Sequence, residues 1–284
     1  MKVLIVGGHS ALGVALKVAL SEFCEVVTGG RNSCDVHVDL AEGPEEMEIP
    51  TNLDVVINTA AHFGGASYNQ LSDAININVL GTLRLCEKAA KMGAKHFIQV
   101  SSIFASIGQG FASYSPYALT KRYSEDVAVM HCATNSLPLC IVRPSQIYGE
   151  TENFRRHQPF LYHIIDQAQA GRDIIIYGSH DALRNYIFIE DLTDVLRRVV
   201  QLRLEGIYNC QYVQDYSYST VANAAFEAFG RHGKVSFDIT RDDLADKIFH
   251  KNFSLYERIG FYPKISIQEG LNRIASSRRT KIDI

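Results

Sequence analysis

Val3-Leu-Ile-Val-Gly7-Gly-His-Ser10-Ala-Leu-Gly13 stands at the head of the chain, and its reading decides the fold. A short apolar run enters a turn of small residues, and the turn enters Ala11–Leu20, which has helical periodicity. Glycines in such a turn let the backbone approach a pyrophosphate, and the helix start offers N–H groups and a positive dipole end. Taken alone, the turn also fits an ordinary βα connection, so the rest of the chain has to decide.

Outward from that turn the pattern repeats. Glu25–Thr28, Asp54–Thr59, His96–Ser101 and Pro138–Val142 read as further strands, and Ile75–Met92 and Pro116–Cys132 as helices. Short apolar strands alternating with helices specify an α/β fold with a doubly wound parallel (Rossmann) sheet, covered on both faces. After about Arg143 the pattern loosens. Phe160–Ala170, Leu192–Leu202 and Thr220–Phe229 read as helical and Asp173–Tyr177 as a strand. The expected organisation is a dinucleotide-binding domain over 1–150, with returning segments near 180–210, and a smaller C-terminal substrate-binding lobe mainly over 151–284.

Composition narrows the function classes. The 284 residues carry a net charge of −3 and are 46% hydrophobic, an ordinary globular profile. No basic stripe is present, which argues against nucleic acid as a partner; Arg278, Arg279 and Lys281 read as a solvated end. None of the six cysteines makes a CxxC or other metal-like spacing, so no metal site is expected. No apolar run approaches the roughly 18 residues that would span a bilayer. Met1 leads directly into Val3–Val6 without a signal-peptide layout. The expectation is a reduced, cytoplasmic protein without a membrane segment.

Tyr117-Ala-Leu-Thr-Lys121 places a phenol and an ammonium one helical turn apart, on one face. A tyrosine of ordinary pKa is a poor base at neutral pH, whereas neighbouring positive charge favours its phenolate. The pair is common on plain helix surfaces. Its setting raises it: Ser102, in Val100-Ser-Ser102, ends the preceding strand and can hold a substrate carbonyl or hydroxyl while Tyr117 moves the proton. Ser101 is the alternative if the strand ends one residue earlier.

The second strand runs out in Val26-Val-Thr-Gly-Gly-Arg31-Asn32. An acid there would bond the ribose hydroxyls of NAD(H) and repel a 2′-phosphate. The position holds glycines and then Arg31, whose fork suits a phosphate. This favours NADP(H) over NAD(H), with Arg31 as a plain surface arginine the alternative.

These residues, in this order, resemble the extended short-chain dehydrogenase/reductase family, its NAD-dependent epimerase/dehydratase group, over nearly the whole chain. Gly7, Ser10 and Gly13 resemble its GxxGxxG turn, with serine at the middle glycine and Ala11 and Leu12 within it. Asp39-Leu40 resembles the Asp-hydrophobic pair beside adenine. Asn58-Thr59-Ala60-Ala61 resembles the small-residue motif beneath the cofactor, and Asn78-Val-Leu-Gly-Thr82 the NxxGT segment. Arg143-Pro144-Ser145-Gln-Ile-Tyr-Gly149 is similar to RPxxxYG, which crosses the nicotinamide end. Arg184-Asn185-Tyr-Ile-Phe-Ile-Glu-Asp191, Gly206-Ile-Tyr-Asn209 and Gly260-Phe-Tyr-Pro-Lys264 match later landmarks.

The resemblance implies a nucleotide-sugar substrate. Cofactor contacts would come from these motifs, with Val100, Tyr117, Lys121 and Pro144 at the nicotinamide end. Arg184 would meet the substrate's diphosphate. His62, Ser102, Ile103, Ser145 and Arg155 would face the substrate, although Arg155 and Arg156 fit solvated loop charges equally well. A homodimer through Ile75–Met92 and Pro116–Cys132 is also implied. Three departures stand out: Ser10, Asn185 in place of the usual aspartate, and a gap of only 15 positions from Ser102 to Tyr117. The short gap suggests a more open or differently shaped sugar pocket.

The reaction is read by elimination. The family's 4,6-dehydratases carry an Asp-Glu pair beside the catalytic hydroxyl, and its fucose-type epimerase-reductases a cysteine. Ile103 and Phe104 stand there instead. His62, His157 and His180 remain as further candidates, each also readable as a surface or loop histidine. A 4-ketosugar reductase using NADPH leads, a 4-epimerase using tightly held NAD is the alternative, and a non-catalytic dinucleotide sensor is a third reading.

Overall fold

The computed structural model describes residues 1–280; Lys281 of the basic tail lies outside them. The chain divides into two compact units. Among the described residues, the first comprises Met1–Pro144, Thr193–Cys210 and Asn252–Phe261, and the second Ser145–Leu192, Gln211–Lys251 and 262–280. The segments that return to the first unit are thus 193–210 and 252–261, and residues 180–192 group with the second.

The first unit is built on strands β1 (Lys2–Val6), β2 (Glu25–Gly30), β3 (Val36–His37), β4 (Val55–Asn58), β5 (Phe97–Val100), β6 (Leu139–Pro144) and β7 (Gly206–Cys210). They form one sheet in the order β7-β6-β5-β4-β1-β2-β3, with every pair parallel. The order reverses between β1 and β4, the switch point at which open α/β sheets bind ligands. This is the Rossmann-type sheet expected from the alternating pattern. Val3–Val6 and Val55–Ile57 are buried and read as unbroken apolar runs; Phe97–Val100 is buried too, with Gln99 accepting a hydrogen bond from Asn58 at 3.0 Å. Leu4 and Val56 pack in one core cluster with Leu85, Ala89 and Cys132.

Helix α1 (Ala11–Ser21) follows the glycine turn. The helix expected over Ile75–Met92 begins earlier, as α2 (Tyr68–Ala74), because Ser67 and Gln70 form a reciprocal capping box. It then widens into a π-turn over Ile75–Leu80 before continuing as α3 (Gly81–Lys91). Helix α4 (Pro116–Thr134) starts where Ser115 accepts the Ala118 N–H at 3.3 Å, with Pro116 in the first turn.

In the second unit the helices Pro159–Gln169, Tyr218–Phe229 and Ile267–Thr280 pack side by side. Gln146–Tyr148 pairs in parallel with Tyr186–Phe188, and Ile174–Tyr177 with Val235–Asp238. The core is rich in tyrosine: Tyr148, Tyr162 and Tyr186 are all buried. No helix among the described residues is long and apolar enough to cross a membrane.

Candidate active site

The glycine turn is shaped by exclusion. Gly7 has φ +82, and a Cβ there would lie 2.8 Å from both the Ala60 nitrogen and the Thr59 hydroxyl. A Cβ at Gly13 would strike the Gly7 carbonyl oxygen. Only glycine fits either position. Ser10 has φ −65, an ordinary conformation, so its backbone does not need glycine. Its hydroxyl accepts the Gly13 N–H at 2.9 Å and meets Thr59 Oγ1 at 3.2 Å, capping α1. That leaves the Ala11 and Leu12 N–H groups at the open first turn of α1. Such a cradle of main chain fits a pyrophosphate.

At the tip of β2, Arg31 and Asn32 are exposed. The nearby acid, Asp35, is folded back: its carboxylate accepts from the Thr28 N–H at 2.8 Å and the Thr28 hydroxyl at 2.7 Å. Those bonds hold it below the usual carboxylate range. Asp39 accepts the Ala41 N–H at 2.9 Å, and Leu40 is buried against Gly81.

Ser102 lies just beyond β5 and caps a 3₁₀ turn over Ile103–Ser106, of which Ile103 is itself buried. The Tyr117 phenol, at the start of α4, is hydrogen-bonded to Ser102. Burial pushes that phenol up to about 12, and the Ser102 bond opposes the rise. Lys121 is 2% exposed and donates to the Val100 carbonyl at 3.0 Å. Burial pulls its ammonium down to about 8, against the opposing charge of Glu125. Ser101, the first residue past β5, is buried, with its hydroxyl unpartnered among the described residues.

Two further residues complete this corner, and the motif reading did not anticipate their roles. The buried Asn78, inside the π-turn, accepts the His62 N–H at 2.8 Å and donates to the His62 carbonyl at 2.7 Å and to Thr120 Oγ1 at 2.9 Å. It thereby ties the loop after β4 to the helix that carries Tyr117. On that loop Phe63 stacks on the Tyr117 ring, centroids 4.7 Å apart and planes 11° from parallel. His62 Nδ1 accepts the Gly64 N–H at 3.0 Å, so any proton its neutral ring carries sits on Nε2.

The remaining candidates are divided between the two units. Pro144 closes β6, while Ser145, Arg155 and Arg184 belong to the second unit. Ser145 is buried with an unpartnered hydroxyl. Arg155 spends its donors on Glu152 at 2.6 Å and Asp166 at 2.5 Å and 3.1 Å. Arg184 is buried over the Tyr218 ring, with Nε on the Tyr218 hydroxyl and Nη1 on the Leu183 and Ala245 carbonyls, which leaves Nη2 without a partner among the described residues. Asn185 donates to the Tyr212 and Gln214 carbonyls and to Asp215, and accepts the Tyr212 N–H. An aspartate could not make those donations. Among the described residues no cluster of three or more His, Cys, Asp or Glu side chains is placed to hold a metal.

Residues 3–210 match the model of the NAD dependent epimerase/dehydratase family. A putative UDP-glucose 4-epimerase of Methanocaldococcus jannaschii is 22% identical over 96% of this chain and 97% of its own. Among solved structures, MoeE5 in complex with UDP-glucose and NAD superposes with a TM-score of 0.82 at 22% identity, covering 99% and 100% of the two chains. RMD from Pseudomonas aeruginosa complexed with NADPH gives a TM-score of 0.80 at 17% identity, over 99% and 98%.

Proposed function

The chain belongs to the NAD-dependent epimerase/dehydratase family of extended short-chain dehydrogenase enzymes, and on that premise we propose that it reduces a nucleotide-linked 4-ketosugar with NADPH. The observation that carries the choice of cofactor is the tip of β2. Its nearby acid, Asp35, is bonded to Thr28, and Arg31 is exposed with no ion pair among the described residues. A 2′-phosphate there would meet the Arg31 guanidinium, while the Asp35 carboxylate is held by Thr28 and lies 3.9 Å from Lys17.

The main-chain cradle of Gly7, Ala11, Leu12 and Gly13 would hold the pyrophosphate, and Lys121 the ribose next to the nicotinamide. Bound there, the dinucleotide supplies a hydride. Ser102 donates a hydrogen bond to the ketone oxygen and fixes it beside the Tyr117 phenol. Tyr117 gives its proton to that oxygen as the carbon receives the hydride, and the ketone becomes a secondary alcohol. The Lys121 ammonium stabilises the phenolate left behind. Phe63, stacked on Tyr117, excludes water from one face of the phenol ring. In the second unit, Nη2 of Arg184 has no partner among the described residues and would suit a phosphate oxygen.

A second reading, a 4-epimerase with tightly held NAD, is favoured by the name of the relative that matches over 96% of this chain. A titration of purified protein, stripped of bound cofactor, with NADPH and with NADH separates the two. Tighter NADPH binding is the expected result. A preference for NADH, or NAD released only on denaturation, would overturn the reductase and leave the epimerase.

A further inference from the structure

One buried face of α4 carries more than the tyrosine and the lysine. Tyr117, Lys121 and Glu125 follow at i, i+4 and i+8, and so form one stripe. The Glu125 side chain is 4% exposed, yet it makes no direct bond to Lys121; a partner from β6 occupies it. Arg143 Nε lies 2.9 Å and 3.1 Å from its two oxygens, and Nη2 adds a third contact. A charge this deeply buried is stable only when it is paired and hydrogen-bonded. The fork of Arg143 does that, and its contacts to both oxygens fix the orientation of a carboxylate one helical turn from Lys121.

Lys121 has a neutral main-chain acceptor, the Val100 carbonyl, and burial weakens its hold on its proton. The groups that face it are few. On its own helix they are Tyr117 and Glu125, since Arg122 and Asp126 point to solvent. Arg143 comes from β6. The π-turn, the 3₁₀ turn and β5 contribute no ionisable side chain. On α2 Asp73 is exposed, and on α3 Glu87 is engaged with Lys91 and His131 at the far end of α4.

We propose that Glu125 and Arg143 are positioning residues that act together as a charge brace for Lys121. The carboxylate keeps the lysine an ammonium through neutral pH. The guanidinium keeps the carboxylate from swinging onto Nζ and drawing it away from the cofactor side. This rests on the reading of Lys121 as the lysine of a hydride-transfer site, but not on which sugar is turned over.

The test follows the Lys121 signal by NMR in full-length protein labelled with ¹³C at lysine Cε, identified by its loss in Lys121→Arg. In Glu125→Gln the lysine loses its counter-charge and faces an unpaired guanidinium, so its midpoint should fall by about one pH unit or more. Glu125→Asp should restore most of that fall. Arg143→Gln should move the midpoint the other way, upward, and it carries the test if Glu125→Gln does not fold. An unmoved midpoint, or the same sign of shift in both variants, overturns the brace. A merely structural pair would change the melting temperature and leave the midpoint in place. If the midpoints move as stated but no 4-ketosugar is reduced, the proposed reaction fails and the brace stands.

Discussion

Asn78 in the first unit and Asn185 in the second grip the backbone in the same manner. Each accepts the N–H and donates to the carbonyl of one residue, His62 in one case and Tyr212 in the other, as a neighbouring strand would. They differ in where the remaining donor goes. In Asn78 it reaches Thr120, one residue before Lys121 and three after Tyr117. In Asn185 it reaches Asp215, which is paired with Lys251 at 2.6 Å. On the proposed reading, the same amide chemistry would serve reaction geometry in one unit and the balance of buried polar groups in the other. Damage to the first should register in rate, and damage to the second in stability.

The largest expected effect tests the rate side alone. Tyr117→Phe keeps the ring and its stack on Phe63 but removes the proton donor. Turnover should fall by about 10²–10⁴-fold with NADPH affinity unchanged. Unchanged turnover, measured by loss of NADPH absorbance, would displace Tyr117 from its assigned role.

A pH series tests the stability side. Burial pulls His96 in the first unit from 6.5 down to about 4, only partly opposed by its bond to the Leu204 carbonyl. Above pH 6.5 neither state binds the proton and nothing is lost. Between 6.5 and 4 only the unfolded chain takes it up, so stability falls as pH falls, by up to about 3 kcal/mol. Urea unfolding between pH 7 and 4.5 should show this slope in wild type and a flatter one in His96→Gln, with activity per folded molecule equal at pH 7. Equal slopes in the two proteins would remove His96 as the cause.

The two asparagines provide the direct contrast. Asn185→Asp loses its donated bonds and sets two carboxylates face to face. It should cost about 2 kcal/mol of stability, seen in denaturant midpoints, while turnover per folded molecule is kept. Asn78→Ala should cost a similar amount and also slow turnover by about tenfold or more, because the Tyr117 helix loses its tie to the His62 loop. If both variants lose only stability, the division between the two asparagines collapses. The smallest effect is Arg31→Ala, which should narrow the ratio of NADPH to NADH affinity by about tenfold; an unchanged ratio would place phosphate recognition elsewhere.

What could be read from the sequence was local. The Gly7–Gly13 turn and the Tyr117/Lys121 spacing each lie within a few residues of one element boundary, so short-range geometry sets them. Ser10 looked like a departure because a motif does not record backbone angle; its φ of −65 makes it an ordinary helix cap. The Asn78 clamp, the Phe63 stack and the Glu125–Arg143 pair join positions 16 to 54 residues apart, and periodicity does not register such distances. The π-turn interrupted a helix whose apolar pattern looked continuous. In the second unit the Ile267–Thr280 helix went unread because its apolar face is narrow between charged residues. Arg155 shows the limit of the reading by residue type: a phosphate-binding arginine and an ion-paired one look alike until Glu152 and Asp166 are seen beside it.

The trio of Asn185, Asp215 and Lys251 also bears on how such a chain can change over time. An aspartate at 185 beside an aspartate at 215 is repelled, and an asparagine at 215 leaves Lys251 without its counter-ion. Neither position can move alone without a penalty, so any route between the amide form and a carboxylate form passes through a handicapped intermediate or needs two changes at once. The three residues are then expected to be inherited as a block, and Asp215→Asn should restore to Asn185→Asp most of the stability that either change removes by itself.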